Sequence, residues 1–349
     1  MTLIAIFSHL LFAIGLLFIS IIMTSLILHR VRIMDIPNSR SAHSRPIPKS
    51  GGVSIVATFL IGVVIIFLIA EKAVIQQTYF YGFIFSAVLI AAISLYDDIK
   101  NKSFVVKLTT QFIAVGVVLA SGLLIDKIAL PSFGFVVLGW ISYPLSFLWI
   151  LGLTNSFNFM DGLDGLAAGV AVIVSAFFCY ITISQGSAFV YITSYTVLAG
   201  ALGFLVYNWA PARVFMGDVG SAFLGFVFAV LAIIAARYDS SHTSFLVMPM
   251  LLFNFIYDTF FTFMRRLLRG DRVVDAHRTH LYQLCSRLGY GHRTVCVFHY
   301  CTCIAQGMGA IWMVNIQGAD RVFLFLPFLF FQILYSIFII RRAKSSDLL

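Results

Sequence analysis

NSFNFMDGLDGLAAGVAVIVSAFFCYITIS, residues Asn155 to Ser184, decides how this chain folds. Two amides and two carboxylates fall within its first ten residues, and a long apolar run follows from 165 to 184. A run of roughly 17–25 such residues spans a bilayer as a helix, because a helix satisfies its own backbone in lipid. The polar residues ahead of it then sit at the mouth of a membrane helix. Similar runs recur throughout the chain. We read about eleven by that criterion, over 3–28, 52–70, 79–96, 106–125, 138–154, 165–184, 188–207, 219–236, 244–264, 295–316 and 322–340. Composition agrees: 61% of residues are hydrophobic and 11% charged, where a soluble domain is about a quarter charged. The fold class expected is all-α: a polytopic membrane helical bundle of about 10–11 transmembrane helices, forming one integral-membrane domain over residues 1–349. Lys127 to Gly139 is too short and too rich in Pro and Gly to span, and reads as a surface hairpin or re-entrant piece. The first run has no basic residues before it and no small-residue cleavage site after it, so it reads as a retained helix.

Basic residues orient the bundle. Alternate loops from 29–51 to the C-terminal tail hold 19 of the 23 Lys and Arg residues; Lys72, Lys127, Arg237 and Arg321 lie on the other side. That asymmetry places the N-terminus in the periplasm and the C-terminus in the cytoplasm. The net charge of +9 is thus a topology signal. Its basic residues are not interleaved with aromatics, and no nucleic-acid partner is expected. The five cysteines form no CxxC pair and read as packing thiols.

The acids cluster where the apolar runs end. Asp97 and Asp98 close the third, Asp161 and Asp164 open the sixth, and Asp218 opens the eighth, all on the predicted cytoplasmic side. Capping explains an acid at a helix N-terminus, but not Asp97–Asp98 at a C-terminus. Ionisable residues at membrane helix ends are costly unless used. Asp161 and Asp164 are three apart and would share a helical face. Carboxylates converging on a hydrated pocket need a counter-charge. Mg²⁺ suits them, since it takes one or two carboxylates plus water and substrate phosphates; Mn²⁺ is the alternative ion, and no Cys/His set suggests zinc. On the same side, His277, Arg278 and His280 read as a pyrophosphate clamp. Arg40, His43, Arg45 and Lys49 precede Gly51–Gly52, a pair that lets backbone approach a ligand. Gly217 and Gly220 bracket Asp218 in a turn suited to phosphate or metal.

Four motifs carry a family resemblance: LYDD (Leu95–Asp98), NSFNFMDGLDGLA (Asn155–Ala167), VFMGDVGS (Val214–Ser221) and HRTH (His277–His280). In order and in predicted sidedness they resemble the polyprenyl-phosphate N-acetylhexosamine-1-phosphate transferases. The resemblance implies transfer of an N-acetylhexosamine-1-phosphate from a UDP-sugar to undecaprenyl phosphate, with release of UMP. The product would start O-antigen, capsule or cell-wall polysaccharide synthesis. It implies a Mg²⁺-dependent enzyme of the bacterial cytoplasmic (inner) membrane, multi-pass, with its active site facing the cytoplasm. By the same resemblance Asp97 is the catalytic aspartate and Asp98 its neighbour, and Asp218 is the metal ligand. Phe215 stacks on uracil. Asn155, Asn158, Asp161 and Asp164 belong to the nucleotide site, and Lys49 lies near a family lysine. HRTH is less rich in histidine than the same segment of the phospho-N-acetylmuramoyl-pentapeptide transferases, which disfavours that branch. A lipid-linked sugar transporter or flippase is the alternative from another class. It would want charges at mid-membrane depth, whereas these Asp sit at helix mouths. The identity of the hexosamine and the possibility of a homodimer stay open at this level.

Overall fold

A computed structural model describes residues 3–31, 33–37, 45–69, 75–100, 104–130, 134–272, 275, 277–316 and 318–349. Arg40, His43 and Lys72 lie outside the described residues. The helices are α1 (Leu3–Arg30), α2 (Gly52–Ile69), α3 (Gln77–Lys100), α4 (Phe104–Ala120), α5 (Ser142–Phe159), α6 (Leu166–Ser184) and α7 (Phe189–Asn208). They continue as α8 (Gly217–Ile233), α9 (Val247–Leu251), α10 (Phe253–Leu268), α11 (Leu281–Arg287), α12 (His292–Asn315) and α13 (Phe325–Ser345). Two small antiparallel pairs join them among the described residues: β1 (Met34–Asp35) with β2 (Ile47–Pro48), and β3 (Lys127–Leu130) with β4 (Gly134–Val137). The second is the hairpin expected between Lys127 and Gly139.

Eight helices among the described residues are long and apolar enough to cross a bilayer. The remaining expected runs fall on α4, which has 17 residues, on α5, whose last turns carry Asn155, Ser156 and Asn158, and on α9–α10. The run 244–264 is divided at Leu252. Its second part buries Asn254, Asp258, Thr262 and Arg266, one per turn, while Phe260, Phe263 and Leu267 point outward. An apolar average over the run hides that inward polar stripe.

Burial ranks the helices. The span that begins at Gly217 is 94% buried, against 22% for α1 and 17% for the last span. So α8 is the axis, packed by α2, α3 and α5. Trp149 Nε1 on α5 donates to the Ala229 carbonyl of α8 at 3.0 Å. The α2–α8 crossing is close enough that a Cβ on Gly52 would lie 2.4 Å from Gly220 Cα. Gly51 and Gly52 donate their N–H groups to the carbonyls of Phe215 and Met216, both at 2.9 Å. The glycine pair expected to admit a ligand instead lets α2 reach the start of α8. Exposed apolar side chains on the outer helices, such as Leu3, Phe7, Leu68 and Phe330, are what a lipid-facing surface requires.

Candidate active site

The start of α8 organises one end of the bundle. Gly217 opens the helix with φ +71°, a left-handed conformation that suits glycine. Asp98, near the end of α3, answers the exposed backbone donors of this terminus. Its Oδ1 accepts the Asp218 N–H at 3.3 Å and its Oδ2 the Val219 N–H at 3.2 Å. The acid that had no dipole partner on its own helix therefore has one on another helix. Asp97 precedes it by one residue, about 100° around the helix. It is half-buried and does not line the cavity that Asp98 lines.

Asp218 follows Gly217. Its Oδ2 bonds to the Lys107 ammonium from α4, and its Oδ1 accepts from Asn158 Nδ2 at 2.9 Å. Asn158 also donates to Ser221 Oγ at 2.8 Å, and its Oδ1 accepts from Lys107 at 3.1 Å. The three side chains thus tie α4, α5 and α8 together. Asn155, one turn before Asn158, exchanges amide hydrogen bonds with Gln111 of α4 at 2.9 and 3.3 Å. It braces α5 against α4 and does not line the cavity.

Between α5 and α6 the chain turns over residues 160–165, so Asp161 and Asp164 lie in a turn, not on a shared helical face. Gly162 and Gly165 explain this. Gly165 has φ +83°, and a Cβ on Gly162 would lie 2.2 Å from the Tyr282 hydroxyl. Asp164 Oδ2 accepts the Ala212 N–H at 3.0 Å and lies 3.4 Å from His292 Nδ1. Asp161 faces the other acids. Burial, then the charges of Asp218, Asp98 and Asp164, push its carboxyl well above the usual range.

These residues border a cavity of about 380 Å³, with Asp98, Asn158, Asp161, Asp164 and Asp218 on its wall. Lys49, Phe215 and Arg278 line it too. Of the expected clamp, Arg278 alone reaches it among the described residues. His277 and His280 precede α11, which starts at Leu281, so they do not share a helix. His280 is buried at the N-cap of α11, its Nδ1 3.2 Å from Asp258 Oδ1. His277 stacks on it at 5.0 Å between centroids. Burial, then His280, Arg266 and Arg265 nearby, lower His277 to about 4.

Asp258, on the polar stripe of α10, anchors that segment. Its carboxylate also accepts the N–H groups of Leu281 and Tyr282, at 2.9 and 3.1 Å. Lys107 and Asp258 are two site-building residues that sequence reasoning missed. Lys107 had counted only as a topology charge. Asp258 lay inside an apolar run, where an ionisable residue is itself a functional signal.

The donor set fits a hard cation. No group of three or more His, Cys, Asp or Glu side chains close enough to hold a metal occurs among the described residues. Mg²⁺ needs only one or two carboxylates and completes its shell with water and phosphate, which Asp218 with Asp161 nearby can offer.

Comparison with known proteins follows the same lines. The model of glycosyl transferase family 4 matches residues 80–236. A probable undecaprenyl-phosphate N-acetylglucosaminyl 1-phosphate transferase of Bacillus subtilis is 32% identical over 269 residues, covering 76% of this chain and 72% of that protein. Decaprenyl-phosphate N-acetylglucosaminephosphotransferase of Mycobacterium tuberculosis is 30% identical over 291 residues, covering 76% and 71%. Phospho-N-acetylmuramoyl-pentapeptide-transferase of Chlamydia muridarum is 36% identical over 210 residues, covering 54% and 61%.

Proposed function

The chain belongs to the polyprenyl-phosphate N-acetylhexosamine-1-phosphate transferases of glycosyl transferase family 4, and on that footing we propose that it moves an N-acetylhexosamine-1-phosphate from a UDP-sugar to undecaprenyl phosphate and releases UMP. One observation carries the proposal: a single cavity at the helix mouths, bordered by Asp98, Asp161, Asp164 and Asp218 together with Lys49 and Arg278. That is where a soluble nucleotide and a lipid phosphate can meet. The basic asymmetry of the loops supports a cytoplasmic cavity in the bacterial inner membrane. Two relatives are named for N-acetylglucosamine, which makes UDP-N-acetylglucosamine the first donor to test, in the initiation of a surface polysaccharide.

The chemistry balances simply. An oxygen of the lipid phosphate attacks the β-phosphorus, the bond from that phosphorus to the bridging oxygen breaks, and UMP leaves. The anomeric bond stays intact, so the sugar keeps its configuration. Phosphoryl transfer depends mainly on positioning and charge neutralisation. Lys49 and Arg278 supply positive charge at the wall, and Lys107 can turn from Asp218 to a phosphate oxygen. Phe215 offers a ring for the base to stack on. Asp98 fixes the α8 terminus through two backbone N–H groups. Asp218, with Asp161 beside it, would hold Mg²⁺, which when bound neutralises charge on the pyrophosphate. An ordinary Asp, with pKa about 3.9, is about two units too acidic to deprotonate a phosphate of second pKa about 6. At neutral pH the lipid phosphate is already mostly dianionic, so no base is needed for its proton, and Asp97, off the cavity wall beside Asp98, is given a positioning role through the end of α3.

The test is UMP release by purified protein given undecaprenyl phosphate, Mg²⁺ or EDTA, and a panel of UDP-N-acetylhexosamines. Mg²⁺-dependent UMP from one donor, absent in Asp218→Ala, is expected. No UMP from any donor, with the protein folded, would overturn the proposal.

A further inference from the structure

A second cavity, of about 270 Å³, lies at the far end of α8, where the helix passes into a π turn over Ile234–Tyr238. The 17 residues of α8 separate it from Asp218 by roughly 25 Å at about 1.5 Å per residue. The reaction proposed above does not use it. Lys127 on β3, Arg237 on the π turn and Arg321 on a 3₁₀ turn all line it. These are three of the four basic residues on this side of the chain. Among the described residues its one acid is Asp126, paired with Arg237.

Three cations from three separate segments thus face one carboxylate. A merely random scatter of basic residues does not bring them together, and their mutual repulsion favours an anion between them. Phe135 on the cavity wall is 65% exposed, and Val137 and Trp140, further along the same stretch of chain, are 76% and 78% exposed, the kind of apolar and aromatic side chains found at headgroup depth. Lys127 lies 5.7 Å from the Phe135 ring centre and Arg237 the same distance from that of Tyr238, so both cations are held over rings. We propose that this cavity binds a phosphate-ester anion, presented by a lipid headgroup in the leaflet opposite the transfer reaction.

The experiment is native mass spectrometry of the full-length protein titrated with phosphatidylglycerol, with phosphatidylcholine as the zwitterionic control. Glycerol 1-phosphate is the soluble arm. Basic loops at the other end also attract anionic lipid, so the measure is the difference between wild type and Lys127→Gln/Arg321→Gln. Each lost cation should weaken binding about fivefold, or roughly 25-fold together. Asp126→Asn, which removes the competing acid, should tighten it. UMP release by the double variant should stay at the wild-type level, which separates lost binding from lost fold. Displacement of the lipid by equimolar glycerol 1-phosphate would make the phosphate a soluble one; no displacement would make it the membrane's. Equal phosphatidylglycerol affinity in wild type and the double variant, or no preference over phosphatidylcholine, would overturn the proposal.

Discussion

Replacing Lys107 with Met tests whether Asp218 is the cation-holding carboxylate. The substitution keeps most of the aliphatic stem and removes one charge. In the structure that charge bonds to Asp218 Oδ2 and lies 3.1 Å from Asn158 Oδ1. The two side chains of the ion pair are 13% and 33% exposed. Unit charges about 4 Å apart interact by about 4 kcal/mol at an effective dielectric near 20. Partial exposure of Asp218 reduces this to roughly 2 kcal/mol. A divalent ion arriving at Asp218 has to displace that ammonium or face its repulsion. Lys107→Met should therefore tighten divalent-ion binding by roughly 30-fold, while turnover falls because a phosphate-neutralising charge is gone. The assay is a Mn²⁺ titration followed by electron paramagnetic resonance, with Mg²⁺ as competitor. An unchanged or weaker midpoint would refute the argument that the lysine and the ion share one carboxylate.

Other consequences are as direct. Gly52→Ala forces a methyl to within 2.4 Å of Gly220 Cα and should destabilise the protein by about 1–3 kcal/mol, read as a lower melting temperature. Asp258→Ala orphans the N–H groups of Leu281 and Tyr282 and should cost about 3 kcal/mol. Because it loosens the segment that carries Arg278, it should raise KM for the UDP-sugar more than it lowers kcat. His277 stands near 4 in the fold and at about 6.5 unfolded, so the unfolded chain binds the extra proton first as pH falls. Stability should drop between about pH 6.5 and 4, and His277→Gln should flatten that part of the melting profile. Asp97→Asn should lose activity by the same factor from about pH 6 to 8; recovery at high pH would restore the base role.

The length of apolar runs reached the helices because a membrane span needs length and apolar composition, and both are local. The helix 166–184 follows Asp164 as the opening stretch requires. The partners of the Asp residues are not local. Asp98 caps a helix that begins 119 residues later at Gly217, and Lys107 meets Asp218 across 111 residues. No pattern along the chain reports such pairs. The HRTH segment shows a different limit. Residue types suggested a three-member clamp, but Asp258 takes His280 and the N–H groups at the start of α11, away from the first cavity. Residue type alone pointed to Arg278 and Asp164 at the cavity, while Asn155 is spent on bracing α5 against Gln111.

The most direct measurement follows the phosphorus atoms. UDP-N-acetylglucosamine radiolabelled at the β-phosphate in one sample and at the α-phosphate in another would be incubated with undecaprenyl phosphate, Mg²⁺ and the protein. The account predicts β-label in the lipid and α-label in free UMP, both lost in Asp218→Ala. β-Label released in UDP, with unlabelled sugar on the lipid, would mean attack at the anomeric carbon and would contradict the account.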